Sequence, residues 1–179
     1  MPLAPLALIL VLGATVTEIA LAWLISTGRL RRPEIHLTIV IAAPRSAVWA
    51  YASDIARQPE WMHEMKRVEM LTPPPVAPGS RGRATVRIFG ISTTDEVVIT
   101  QYDPPSTFAI RHEGTFVGEG LLSFTSTAVD QTRIDWMEYL RPPLFGHLGG
   151  FLQRPILTAI FRSDLRHLQR ILESGATGS

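Results

Sequence analysis

From Leu3 to Thr27 the chain carries a single ionisable side chain, Glu18. Roughly 20 apolar residues in a helix rising about 1.5 Å per residue cross a bilayer core of about 30 Å. The run is therefore long enough to span, and it predicts an N-terminal membrane anchor. A cleaved secretory signal competes with this reading, and Ala20-Leu21-Ala22 offers a small-residue cleavage pattern. No basic region precedes the apolar stretch, however, as a signal would require. The flanks set an expected orientation. Neither Lys nor Arg precedes the run, whereas Arg29, Arg31 and Arg32 follow it, and basic residues stay on the cytoplasmic side. The N-terminus is expected outside and the main domain in the cytoplasm, with Trp23 at the interfacial level where indole rings collect.

Glu18 lies near the centre of this run, where a carboxylate costs roughly 2.5–3.5 kcal/mol on insertion scales. At helical spacing Ala14, Glu18 and Ala22 share one face, with Val11 and Thr15 beside them. Such a stripe lets another helix come close and accept or donate a hydrogen bond inside the contact. It predicts a docking face for a transmembrane protein partner. The alternative is a protonated glutamate bonding back to its own helix.

The whole chain has 179 residues, 46% of them hydrophobic, enough for one core beside the anchor. The expected division is an anchor over 1–28, a basic linker over 29–34, one domain over 35–175 and a tail over 176–179. A net charge of +1 is too small to imply nucleic acid. The chain has no cysteine, which excludes disulfides, thiol nucleophiles and thiolate metal sites.

In "IHLTIVIAAP", Ile35, Leu37, Ile39 and Ile41 alternate with His36, Thr38 and Val40, the period of a half-buried strand. Pro44 stops it and can open a helix. Val48, Tyr51, Ala52 and Ile55 then recur at helical spacing, and "QPEW" reads as a break with a short second helix. "RVEMLT", "RGRATVRIF", "TTDEVVITQY", "STFAIRH", "GLLSFTSTA" and "TRIDWMEYL" follow as strands bounded by turn residues. Residues 144–173 form a final long helix with Leu157, Phe161, Leu165, Leu168 and Leu172 as its apolar stripe. Gly149, Gly150 and Pro155 are expected to loosen or kink its first half. "GEG" at 118–120 suggests a bulge.

The stretch "AAPRSAVWAYASDIARQPEW", with Pro44, Val48, Trp49, Asp54, Pro59 and Trp61, resembles the opening of the START-like, or SRPBCC, superfamily, in its polyketide cyclase/dehydrase-like branch. "PGSRGR", "YDPPSTFAI", "TRIDWMEY" and "LRHLQRILES" fall in that family's order and spacing, so the resemblance covers residues 35 to about 175. It implies an α+β helix-grip fold, a curved antiparallel sheet around the long C-terminal helix, with a hydrophobic cavity between them. The transmembrane helix is an addition to that pattern. A fold so widely reused hosts binders and enzymes alike.

By alternation Phe108, Ile110 and His112 share one strand face, and Ile134, Trp136, Glu138 and Leu140 another. If both line the cavity, His112 and Glu138 are its polar groups, able to serve as acid and base or to orient a ligand. Pairing with each other, binding water at the rim, or pointing outward is the plainer outcome. Trp61, Met62 and Met65 are expected at the cavity mouth as adaptable apolar contacts, or as ordinary core. His63 and Glu64 adjoin them without metal-ligand spacing, so no metal and no cofactor are expected. The sequence contains no G-x-S-x-G, P-loop or G-x-G-x-x-G.

Arg162, Arg166 and Arg170 recur every four residues on the last helix, and Arg81, Arg83 and Arg87 alternate along one strand face. Each row is either solvated surface or a contact for anionic headgroups or an acidic partner. "LFGHLGGFL" is a candidate membrane contact or pocket lid. The sequence thus points to a membrane-tethered domain that binds a hydrophobic small molecule (a lipid, isoprenoid or polycyclic compound) without obligatory catalysis. The alternatives are an accessory scaffold subunit of a membrane complex docked through its transmembrane helix, and a cyclase or dehydrase using His112 or Glu138.

Overall fold

The computed structural model describes residues 3–88 and 90–176. Positions 177–179 of the expected tail, and Phe89 at the end of the predicted third strand, lie outside the described residues. The chain runs α1 (Leu3–Ser26), β1 (Ile35–Ile41), α2 (Arg45–Ala52), a 3-10 turn (Ile55–Arg57), α3 (Gln58–Trp61), β2 (Met65–Met70), β3 (Arg81–Ile88), β4 (Ile91–Asp103), β5 (Thr107–Glu113), β6 (Val117–Ala128), β7 (Gln131–Arg141) and α4 (Gly146–Ala176). The strands form one seven-stranded sheet in the order β1-β7-β6-β5-β4-β3-β2. Every pairing is antiparallel. The fold is α+β: the sheet curves around α4 in the helix-grip arrangement.

The alternation in β1 is what docks it. Ile35, Leu37 and Ile41 are buried while His36 and Thr38 are exposed, so one strand face enters the core and the other stays wet. From α4, Leu157, Phe161, Leu165 and Leu168 are buried against the sheet, each contributing roughly 1.5–3 kcal/mol of apolar burial. Trp49 of α2 closes the opposite end of the core, meeting Phe124 edge-on at 5.2 Å and Tyr102 at 5.5 Å. This packing places the concave face of the sheet opposite the first half of α4 and leaves the cavity between them.

Two of the local expectations change. The helix opened by Pro44 stops at Ala52 rather than reaching Ile55, because Asp54 accepts a bond from the Ala56 N–H at 3.0 Å and starts a separate 3-10 turn. Helix α4 continues through Pro155, which is exposed, and its glycines are positions of close approach. A Cβ on Gly149 would lie 2.6 Å from Pro142 Cγ, and one on Gly150 3.0 Å from Pro33 Cγ. The "GEG" segment is a regular part of β6, whose register shift falls at Ser126/Ala128 instead.

Candidate functional site

A cavity of about 480 Å³ lies between the sheet and α4, within the range of about 300–1,000 Å³ typical of small-molecule sites. Phe108, Ile110, Trp136 and Leu140 supply apolar wall from β5 and β7, with Trp61 of α3, Met62 just after it and Met65 of β2 beside them. Trp61 takes the second of its two expected places, core rather than mouth. It is only 1% exposed and meets Trp136 edge-on at 6.0 Å, so it belongs to the packed wall. Trp136 in turn stacks on Phe161 of α4 at 4.7 Å, fixing the aromatic floor between sheet and helix.

His112 and Glu138 both line the cavity, and they bond to each other. Their strands, β5 and β7, are not neighbours; β6 runs between them. The register sets Ile110 opposite Gly120 and Gly120 opposite Glu138, with Gly118 opposite His112. Adjacent strands lie about 4.8 Å apart, so the side chains from β5 and β7 can meet only by reaching over β6. Glycine clears the way: a Cβ on Gly120 would lie 2.5 Å from Glu138 Oε2. Glu138 Oε1 is 2.9 Å from His112 Nε2, and Oε2 accepts from Trp136 Nε1 at 2.9 Å. Glu138 is 4% exposed, and each of its oxygens thus has a donor within the wall.

A second polar group, which the sequence reading did not assemble, lies across the cavity. Glu64, at the junction of α3 and β2, lines the space, and Asp164 of α4 is wholly buried behind it. Asp164 Oδ1 accepts from the backbone N–H of His63 at 3.1 Å and lies 2.9 Å from His63 Nδ1. Asp164 Oδ2 and Glu64 Oε2 are buried without a donor. Burial, and then the negative charge of Asp164, push the Glu64 carboxyl above its ordinary value. A proton held between the two carboxyls would satisfy both. The readable signal was Asp164 itself, an acid one residue before Leu165 on the apolar stripe of α4.

Glu18 has its partners within the chain. Its carboxylate accepts from the backbone N–H groups of His147 and Leu148, at 3.0 and 2.9 Å, and lies 2.8 Å from His147 Nδ1. The sequence placed Ala14, Glu18 and Ala22 against a separate transmembrane helix. In the structure these three residues are half-buried while most of their neighbours on α1 are exposed, and Glu18 reaches the N-terminus of α4. A helix start is a natural carboxylate site, because its first N–H groups lack partners and carry the positive end of the dipole.

The two arginine rows also separate. Arg81 bonds Glu96 and Glu113, each at 2.8 Å, and Arg83 approaches Glu96 at 3.8 Å, so two of the three arginines in that row meet acids on the next strands. Bonds from Arg111 and Arg81 hold Glu113 below the ordinary carboxylate range. Arg162, Arg166 and Arg170 are exposed on α4.

Residues 32–173 match the family described as polyketide cyclase / dehydrase and lipid transport. Among curated proteins none matches the sequence. Solved structures with the same fold include a protein from Thermus thermophilus (TM-score 0.67, 21% identity, 82% of this chain and 100% of that one). A START superfamily protein from Mycobacterium smegmatis aligns at TM-score 0.59 and 20% identity, over 79% of this chain and 94% of its own. The Zhui aromatase/cyclase from Streptomyces sp. R1128 aligns at TM-score 0.59 and 17% identity, over 79% and 97%.

Proposed function

The chain belongs to the polyketide cyclase/dehydrase and lipid transport family, and within it we propose that this protein is a membrane-tethered binder of an apolar small molecule. The observation that carries this reading is the cavity: about 480 Å³, walled by Trp, Phe, Ile, Leu and Met side chains, with few polar groups facing in. Apolar walls favour an apolar body, while the His112–Glu138 pair offers one place to orient a hydroxyl or carbonyl. Tethering supports the same reading. Helix α1 is long and apolar enough to cross a membrane, Arg29, Arg31 and Arg32 favour a cytoplasmic domain, and the tether keeps the cavity close to ligands dissolved in the bilayer.

The test uses the purified full-length chain in mild detergent and a dansyl-labelled fatty acid as probe. Probe fluorescence should rise on binding and be lost in Ala84→Phe, which fills the wall from a residue 7% exposed. No binding by the parent chain, or equal binding by the variant, would overturn the reading. The cyclase alternative is favoured by one observation, the hydrogen-bonded His112–Glu138 pair inside the cavity. Turnover of a linear polyketone that disappears in His112→Ala would move the conclusion to it. The scaffold alternative drew its support from Glu18, whose bonds are intramolecular here.

A further inference from the structure

The contact between Glu18 and α4 fixes how deep the domain sits. In the tethered reading, Trp23 and the arginines from Arg29 mark the level where α1 leaves the hydrocarbon. A core of about 30 Å ending at Trp23 takes about 20 residues of α1. Glu18 lies five residues inside Trp23, about 8 Å below that level. Its hydrogen-bond partners, the first N–H groups of α4, lie at the same depth.

Such a depth suits the apolar side of the start of α4, while Arg141, whose side chain lies beside Gly146, has to reach out toward the headgroups. Leu148, whose N–H bonds Glu18, begins a row at helical spacing that continues through Leu152 and Ile156. Leu152 is 67% exposed and Ile156 45% exposed, and Leu144 in the preceding turn is 76% exposed. Ile156 also lines the cavity. The row therefore joins the apolar surface of α1 to the opening of the cavity without a charged residue in it. Arg154, two residues after Leu152, is carried to the far side of the helix.

The polar cost is met by the same contact. Unbonded backbone N–H groups are not tolerated in a bilayer core, and a lone carboxylate there is costly. Glu18 accepts from the N–H groups of His147 and Leu148, and the helix start offsets its charge. Each group thus makes the other admissible at that depth.

We propose that the first turns of α4 are immersed in the leaflet with α1, so that lipid acyl chains cover Leu144, Leu148, Leu152 and Ile156 and the cavity opens into hydrocarbon. A ligand then passes sideways from membrane to cavity without crossing water. The inference rests on the tethered binding reading, and it adds the surface through which the ligand enters.

The chain has no native cysteine, so single cysteines can carry a nitroxide in the full-length protein, reconstituted in phosphatidylcholine–phosphatidylglycerol vesicles. Collision with oxygen, which partitions into lipid, is compared with collision with a water-soluble nickel chelate. Labels at Leu152→Cys and Leu144→Cys should lose nickel contact and match Val16→Cys on α1, while Arg162→Cys on the exposed side of α4 remains nickel-accessible. Adding Glu18→Ala to Leu152→Cys should restore nickel contact as the uncapped helix start leaves the leaflet. Nickel contact at both Leu152→Cys and Leu144→Cys in the parent background would overturn the proposal. So would spin–spin broadening that vanishes on dilution with unlabelled chain, because a second copy would then cover the row. Probe binding in detergent does not depend on immersion, so failure of the cavity reading would be seen separately.

Discussion

Glu138 and Glu64 face the same cavity, one from β7 and the other from the junction of α3 and β2, and their surroundings provide for them in opposite ways. Glu138 Oε1 has His112 Nε2 and Oε2 has Trp136 Nε1, both at 2.9 Å. Glu64 Oε2 has no donor, and its buried neighbour Asp164 is another acid with an oxygen unmet. Burial and the charge of Asp164 raise the Glu64 carboxyl and favour its proton, whereas the donors on both Glu138 oxygens fix that side chain and its neighbours in place.

The largest expected effect follows from removing the supplied group. Glu138→Leu leaves the Trp136 N–H without its acceptor inside the core and strips His112 of its partner, a loss of roughly 2–3 kcal/mol. Thermal unfolding of the detergent-solubilised chain should show it. A similar loss in Glu64→Leu would break the comparison, because it would mean that Glu64 also anchors its surroundings. A smaller effect is expected from Gly120→Ala. The new Cβ would stand 2.5 Å from Glu138 Oε2, and displacing the carboxylate from its preferred rotamer costs on the order of 1 kcal/mol. Because the same shift separates Glu138 from His112, the variant should move the His112 ring resonances in an NMR spectrum. Unmoved resonances would mean that β6, and not the carboxylate, yields.

The difference between these sites also separates what the sequence discloses from what it conceals. Alternation in "STFAIRH" and "TRIDWMEYL" put His112 and Glu138 on cavity-facing positions, and the period of β1 and the stripe on α4 disclosed the sheet and the helix it holds. Those signals are local, repeating every two residues or every turn. The meeting of His112 with Glu138 depended on Gly120 of an intervening strand, in a segment that local pattern reads as a bulge. Asp164 and Glu64 come together from places 100 residues apart, and Glu18 meets His147 over a separation of 129. Pairings of that span follow from the closed tertiary arrangement. The oddity of Glu18 in an apolar run was legible, and its partner was not.

The smallest effect has the opposite sign and sharpens the comparison most. Burial and the charge of Asp164 raise the Glu64 carboxyl above its ordinary value of 4.5. The folded state therefore holds the Glu64 proton more tightly than the unfolded state does. Below pH 4.5 both states carry it, and Glu64 makes no difference to stability. As pH rises above 4.5 the unfolded chain releases the proton first, so stability falls until the folded-state value is passed, and the full penalty is present beyond it. Glu64→Gln mimics the protonated group and adds an N–H donor for Asp164 Oδ2, which lacks one. The variant should therefore be more stable than the parent at neutral pH, and the gain should vanish below pH 4.5. Unfolding midpoints taken across this range for both chains measure the difference directly. A variant less stable at neutral pH would show that Glu64, like Glu138, is a supplied carboxylate after all.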